Sequence, residues 1–410
     1  MRTWILSIVV ATTTFASRAG LAQPALPAIE EAQLVAELEA KDPRLAIVAA
    51  KVETSRADVA AARVRPNPSI SIEREEPFVD GTGLATNYLR LSVPFDISGR
   101  RGRQVAAAEA NVRAASSDAA QSKLEVVISG LRAFDDAARA RIHVEILTSA
   151  RTSLVRAVEI ARQRGKAGDA SGYEVQRFEL ELAAHDDDLA SAQIELRRAR
   201  TQLAALVGRS GELDAMTTLE LPESVPAAEA LVAKAMNRGD LRAAKLRSES
   251  ASGRVGAAGR GWVPTPTLTA GAMTVDLGDQ TGTGYVVGLG LSIPVFDRGQ
   301  GDRARAVADR RVADAESRWL ERQIPTAVQI ARATLTARIE QARRLATGQL
   351  DRLDLILVAA EAAFREGNAS VVELLDAHRA ARAVRIRALD LRHQVARDKH
   401  DLELALGQRL

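Results

Sequence analysis

Residues Leu91–Gly99 read "LSVPFDISG", and residues Leu291–Gly299 read "LSIPVFDRG". Each copy alternates apolar and small residues, meets a proline, and ends on a glycine that opens a long Ala- and Arg-rich stretch. Period-two alternation signals a strand, and proline lacks the N–H that a ladder needs. Each phrase therefore reads as a strand end handing over to a helix. Outward from it, other pairs match. Pro66-Asn67-Pro68 answers Pro264-Thr265-Pro266, and Gly168-Asp169-Ala170-Ser171 answers Gly367-Asn368-Ala369-Ser370. Leu203–Gly208 answers Leu402–Gly407. This is one tandem duplication, with repeats expected over residues 23–225 and 226–410.

Each repeat carries the same order of signals. Helical patterns at Glu30–Val64 (interrupted at Asp42-Pro43) and Ala227–Gly259 come first and stop at Pro-x-Pro. Two alternating segments follow in each, within 67–94 and 265–294. In Tyr285–Ile293, Val287, Leu289, Leu291 and Ile293 share one face, and Gly288, Gly290 and Ser292 share the other. An apolar face backed by a small, polar one suits a barrel strand between lipid and water. Long helical hairpins are then expected over 101–207 and 301–407. A seven-residue stripe (Val105, Val112, Ala119, Val126, Ala133, Ala140, Leu147, Leu154, Ala161) predicts a supercoiled seam in the first. Pro325 predicts a kink in the second. His185 falls within the packed frame of the return helix, opposite Val384, and reads as a seam residue.

Composition narrows the function. Cysteine is absent, which excludes disulfides, thiolate metal sites and a thioether lipid anchor. With 56 basic and 53 acidic residues, the charge suits salt-laced helix faces, not nucleic-acid binding. No nucleophile elbow, phosphate loop or His cluster is visible, so no catalytic site, metal site or cofactor is expected. Arg2, an apolar run from Trp4 to Phe15 and Ala19-Gly20-Leu21-Ala22 predict a secretory signal peptide over 1–22. Phe78, Tyr88 and Tyr285 at one end of the strands, and Phe95, Trp262 and Phe296 at the other, suggest two interfacial girdles.

With these motifs in duplicate, the sequence resembles the outer-membrane efflux protein (TolC-like) family over essentially the whole mature chain. The tip motifs "GDASGYEVQ" and "GNASVVELLDA" add to the likeness. Chain length and the "SGRRGR" run from Ser98 look most similar to the heavy-metal (cobalt–zinc–cadmium) efflux branch. The resemblance implies a mixed, mainly α fold. Three chains would pool four strands each into a 12-stranded transmembrane β-barrel continuing into an α-helical coiled-coil tunnel. It implies a homotrimer in the outer membrane, contacting lipid. A periplasmic adaptor and an inner-membrane pump of the RND type would deliver the cargo. Pro94, Gly99, Pro294 and Gly299 would form the barrel–tunnel joint. Gly168, Ser171, Gly367 and Ser370 would form the tip that meets the adaptor. Glu373 and Asp376 match the carboxylates that ring the pore entrance, and Glu174 fits one carboxylate of a closing latch. Phe364 and Ala369 stand where that latch expects tyrosine and arginine, so it is not carried over intact. A periplasmic adaptor or a drug channel are the competing readings. An adaptor would carry a single hairpin flanked by β-rich domains.

Overall fold

The computed structural model describes residues 26–410 except Asp80, Gly81, Leu84, Asp169, Ala170, Leu277 and Asp279. The expected signal peptide (1–22) and the Asp169-Ala170 pair of the first tip motif lie outside the described residues.

The first repeat opens with β1 (Ala28–Ile29), α1 (Glu31–Lys41) and α2 (Pro43–Arg63). Asp42 separates the helices: its carboxylate caps α2 through the Arg44 N–H at 2.8 Å, and Pro43 occupies the first turn, where no N–H is missed. Strands β2 (Ser69–Glu75), β3 (Phe78–Val79), β4 (Thr82–Gly83) and β5 (Thr86–Pro94) follow. Helix α3 (Arg100–Ala167) runs 68 residues, about 100 Å at 1.5 Å per residue. Helix α4 (Gly172–Leu206) returns, and β6 (Asp214–Ala215) pairs in parallel with β1.

The second repeat holds α5 (Ala228–Ala235), α6 (Gly239–Ala258), β7 (Thr265–Asp276) and β8 (Thr281–Ser292). Its helical hairpin comprises α7 (Gln300–Leu345), α8 (Asp351–Arg365) and α9 (Val371–Leu406). One expectation changes here. The single helix read over 227–259 breaks at Met236–Arg238. A Cβ on Gly239 would lie 2.4 Å from the Ser117 carbonyl, so only glycine lets α6 start this close to α3. Helix α7 continues through Pro325, and a π-turn follows it at Ala346–Leu350. There Gly348 is a poor helix former, and the Thr347 hydroxyl donates to the Arg343 carbonyl at 3.1 Å.

One antiparallel sheet joins the repeats in the order β2-β5-β7-β8. Below it the helices keep that order. Helix α2 leads into β2, β5 into α3, α6 into β7, and β8 into α7. In the upper half α6 fills the space between α3 and α7, with α2 on the other flank of α3. Lower down, α9 takes the place of α6, and α4 the place of α2. The chain is thus a wall four elements wide. Its lateral edges are β2, α2 and α4 on one side and β8, α7 and α8 on the other. The expected seven-residue stripe of α3 is buried at Val126, Ala140, Leu147, Leu154 and Ala161, with Ala133 half-buried between the first two. In the upper half the seam rotates to Ala107, Ala110 and Ala114, because α6 packs there: Ser250 of α6 donates to the Ala107 carbonyl at 2.7 Å.

Candidate functional site

Directly paired residues of an antiparallel sheet point to the same side, so register sorts the sheet's faces. The rows Ile70–Leu91–Ala270–Val287 and Ile72–Leu89–Ala272–Tyr285 lie on one face, as do Val93–Leu268–Leu289. These apolar side chains are strongly exposed: Ile72 at 82%, Leu289 at 74%, Tyr285 at 85%. Alternate rows, Ser71–Arg90–Gly271–Val286 and Glu73–Tyr88–Met273–Gly284, form the polar face. There Arg90 pairs with Glu73 and lies 4.1 Å from the Tyr88 ring centroid, and the Tyr88 hydroxyl donates to Glu75. Tyr88 therefore belongs to the polar face and not to an aromatic girdle. Phe95, Trp262 and Phe296 are exposed at the far end; the Phe78 side chain lies outside the described residues. Among the described residues no helix is long and apolar enough to cross a membrane.

At the joint, the ladder runs one residue past Pro94, since the Phe95 N–H donates to the Pro266 carbonyl at 2.8 Å. Gly99 and Gly299 cap α3 and α7 with φ of +65° and +77°, a region that favours glycine. Asp96 Oδ1 accepts from the Ser98 hydroxyl at 2.6 Å and the Ser98 N–H at 2.9 Å, and Oδ2 from the Arg101 N–H at 3.2 Å. The Ser98 hydroxyl, first, and these N–H groups hold the Asp96 carboxyl below the usual carboxylate range. Asp297 accepts from Gly299 in the second copy at 2.9 Å. Pro294 lies just beyond β8, half-buried against the loop that follows. A Cβ on Gly261 would sit 2.9 Å from the Gly299 Cα, and Arg260 donates to the Ser98 carbonyl at 2.6 Å. Arg100 reaches Asp302 at 3.0 Å, tying the starts of the two long helices.

At the opposite end, Gly168 and Gly367 turn the chain with φ of +86° and +82°. Ser171 caps α4, accepting from the Glu174 N–H at 3.2 Å, while Glu174 accepts from the Ser171 N–H at 2.9 Å. Ser370 and Glu373 repeat this box on α9 at 3.3 and 2.7 Å. The Ser370 N–H and hydroxyl hold the Glu373 carboxyl below the usual range, so it stays charged. Glu373 and Asp376 lie three apart on the exposed face of α9, opposite buried Leu374 and Leu375.

Phe364 is not at a latch surface. It is 1% exposed, edge-on to Phe178 at 5.5 Å, in a cluster with Leu154, Val158 and Leu374 that joins both hairpins. Ala369 packs against the same cluster. Arg164 donates to the Phe364 carbonyl at 2.7 Å, its guanidinium 4.9 Å from the ring centroid. Above this cluster the hairpins are laced by polar contacts. Arg379 holds Glu181, Arg382 holds His185 and Asp188, Arg139 holds Asp390, and His393 and Arg397 share Asp136. Burial works against the Asp136 charge, but the bonds from His393 and Arg397 outweigh it and lower its pKa. His400, 5% exposed, lies between Asp135 at 2.8 Å and Glu403 at 2.9 Å. Among the described residues, no group of His, Cys, Asp and Glu is arranged to hold a metal ion. Phe178 falls within the packed frame read for the return helix, while the reading from sequence missed Arg164 and the Arg379/Arg382 contacts. Their one local signal is the three-residue spacing of the two arginines.

The profile of the family described as Outer membrane efflux protein matches residues 34–209 and again 232–408. The chain belongs to the outer membrane efflux protein family. It is 24% identical to the cobalt-zinc-cadmium resistance protein CzcC of Cupriavidus metallidurans, over 89% of this chain and 86% of that protein. It is 26% identical to the nickel-cobalt-cadmium resistance protein NccC of Alcaligenes xylosoxydans xylosoxydans, over 67% of this chain and 63% of that one. Among solved structures, CusC superposes with a TM-score of 0.75 at 19% identity, covering 95% of this chain and 96% of that one. The open-state outer-membrane channel MtrE of Neisseria gonorrhoeae gives 0.72 at 18%, covering 92% and 89%. The fold is that of these channels, and like other members of the family the chain is not an enzyme.

Proposed function

We propose that this family member is the outer-membrane duct of a tripartite efflux pump, a homotrimer whose four-stranded sheets close a 12-stranded barrel over a helical tunnel. The observation that carries the reading is the pair of matched edges. The open strand edges β2 and β8 stand above the open helix edges α4 and α7/α8. Tyr173, Leu180 and Ile194 are exposed at seven-residue multiples on α4, with Asp187 between the last two, and Val312 and Trp319 are exposed on α7. An edge of one kind meeting an edge of the other is a heterologous contact, which generates a closed ring when the rotation between neighbours closes. The two-faced sheet supports lipid outside and water inside. Helix α1 marks the outside of the wall: Leu38 packs on Gly130 of α3, and the arc of about 100° per residue puts Asp136 and His143 on the opposite face. The groove lined by Asp136, His143 and Asp188 then faces the lumen.

Six carboxylates, Glu373 and Asp376 from three chains, would ring the entrance and favour cations. With the likeness to proteins named for cobalt, zinc, cadmium and nickel resistance, this favours divalent heavy-metal cations as cargo. A periplasmic adaptor would meet the tip at Gly168, Ser171, Gly367 and Ser370, and an inner-membrane pump of the RND type would load it. The signal peptide would direct export from the cytoplasm. The test is a deletion strain plated on zinc, cobalt, cadmium and copper and on organic drugs. Metal sensitivity restored by the gene supports the reading. Sensitivity to drugs alone would make it a drug duct.

A further inference from the structure

Near the tip, Arg382 of α9 reaches across to α4, placing its Nη1 2.9 Å from His185 Nδ1 and 3.0 Å from Asp188 Oδ2. His185 is 4% exposed, and its other nitrogen, Nε2, lies 2.8 Å from the Leu147 carbonyl of α3. A carbonyl only accepts, so Nε2 carries the ring hydrogen. Arginine only donates, so Nδ1 holds the lone pair that receives it. Both contacts are satisfied together by one species, the neutral Nε2–H imidazole.

We propose that the Arg382–His185 contact is a proton-sensitive tie holding the second hairpin against the first. The proposal rests on the channel reading above. A proton taken from solvent onto Nδ1 removes its lone pair and turns an acceptor into a second donor. An N–H then faces an N–H, and a positive ring faces a positive guanidinium. Arg382 must leave the ring. The groups around the ring set the direction of the response. From α4 these are Glu181, Asp186 and Asp188; from α3, Arg151, bonded to Asp186 at 2.5 Å; and from α9, Arg379 and Arg382. Asp188 and Glu181 are the groups that anchor Arg382 and Arg379 to α4, and a charged ring competes for them. Charging the ring therefore draws on the acceptors that join the hairpins. His185 lies 13 residues beyond the start of α4, about 20 Å from the tip, where a small separation widens the entrance below it.

The test is single-channel conductance of the purified full-length protein in planar bilayers at pH 7.5 and 5.5. The wild type should rise by about twofold or more on acidification as the entrance widens. His185→Gln offers a donor to Leu147 and an acceptor to Arg382 without titrating, so its conductance should stay at the neutral value at both pH values. Arg382→Ala should conduct at the raised level at both. A wild type that does not respond to pH, or a His185→Gln channel that keeps the full response, overturns the tie. Channels that never form overturn the channel reading itself.

Discussion

Phe364 meets Phe178 edge-on, with ring centroids 5.5 Å apart and planes at 65°, so the helices at the two tips share one apolar core. The second hairpin cannot swing from the first without exposing both rings. Phe364→Ala removes this contact and leaves a cavity, at about 3–5 kcal/mol for a buried phenylalanine. Bilayer recordings and antibiotic-uptake assays should show a leakier channel. Phe364→Leu keeps an apolar side chain in the cluster and should leak less than the alanine variant.

Glu373 closes the capping box of α9, and the proposed entrance ring gives it a second role that can be separated from the first. Glutamine at the third helical position still closes the capping box, so Glu373→Gln keeps the fold and removes the charge. With Asp376→Asn it should lower the cation-to-anion permeability ratio, read from reversal potentials in a salt gradient. Each single change should give part of the loss. An unchanged ratio in the double variant would remove these carboxylates from the pore entrance.

The joint predicts a contrast between glycines. Gly299 has φ +77°, and a Cβ there would lie 3.1 Å from the Gly261 Cα. Gly299→Ala adds left-handed strain of about 1 kcal/mol to that clash. Gly102, inside α3, has nothing within 4 Å of its Cβ position, and alanine there favours the helix by about 1 kcal/mol. The melting temperature of the folded protein should fall with Gly299→Ala and hold or rise with Gly102→Ala.

His400 predicts the pH dependence of stability. Burial disfavours its charge, but hydrogen bonds to Asp135 and Glu403 on both nitrogens outweigh this and raise its pKa. A raised folded pKa gives a contribution fully present below the unfolded value, about 6.5, and lost as pH climbs through the folded value. The wild type should therefore lose stability above neutral pH. His400→Gln should remove that slope and cost about 3 kcal/mol at pH 6, because two buried carboxylates lose their cation. Denaturant midpoints across pH 6–9 report both.

The local features were legible in the sequence. The Ser171/Glu174 and Ser370/Glu373 boxes, the turns at Gly168 and Gly367 and the strand ends at Pro94 and Pro294 depend on neighbours a few residues away. Duplication showed which of them recur. What spacing does not encode is which surfaces meet across repeats. Arg164 bonds to a carbonyl 200 residues away, and Phe364 is buried because α3 and α4 bring Leu154 and Phe178 to it. The π-turn at Ala346–Leu350, where Gly348 and Thr347 weaken the helix, had no proline to mark it. Tyr88 looked like a girdle residue by position, but strand parity places it beside Arg90.

The central claim is that this wall is one third of a closed duct. The most direct measurement is the mass of the detergent-solubilised protein recovered from purified outer membranes, taken by light scattering with the detergent contribution subtracted. The account predicts three chains per particle, resisting dissociation on mild heating. A single-chain particle, or a protein found in the soluble periplasmic fraction, would contradict it.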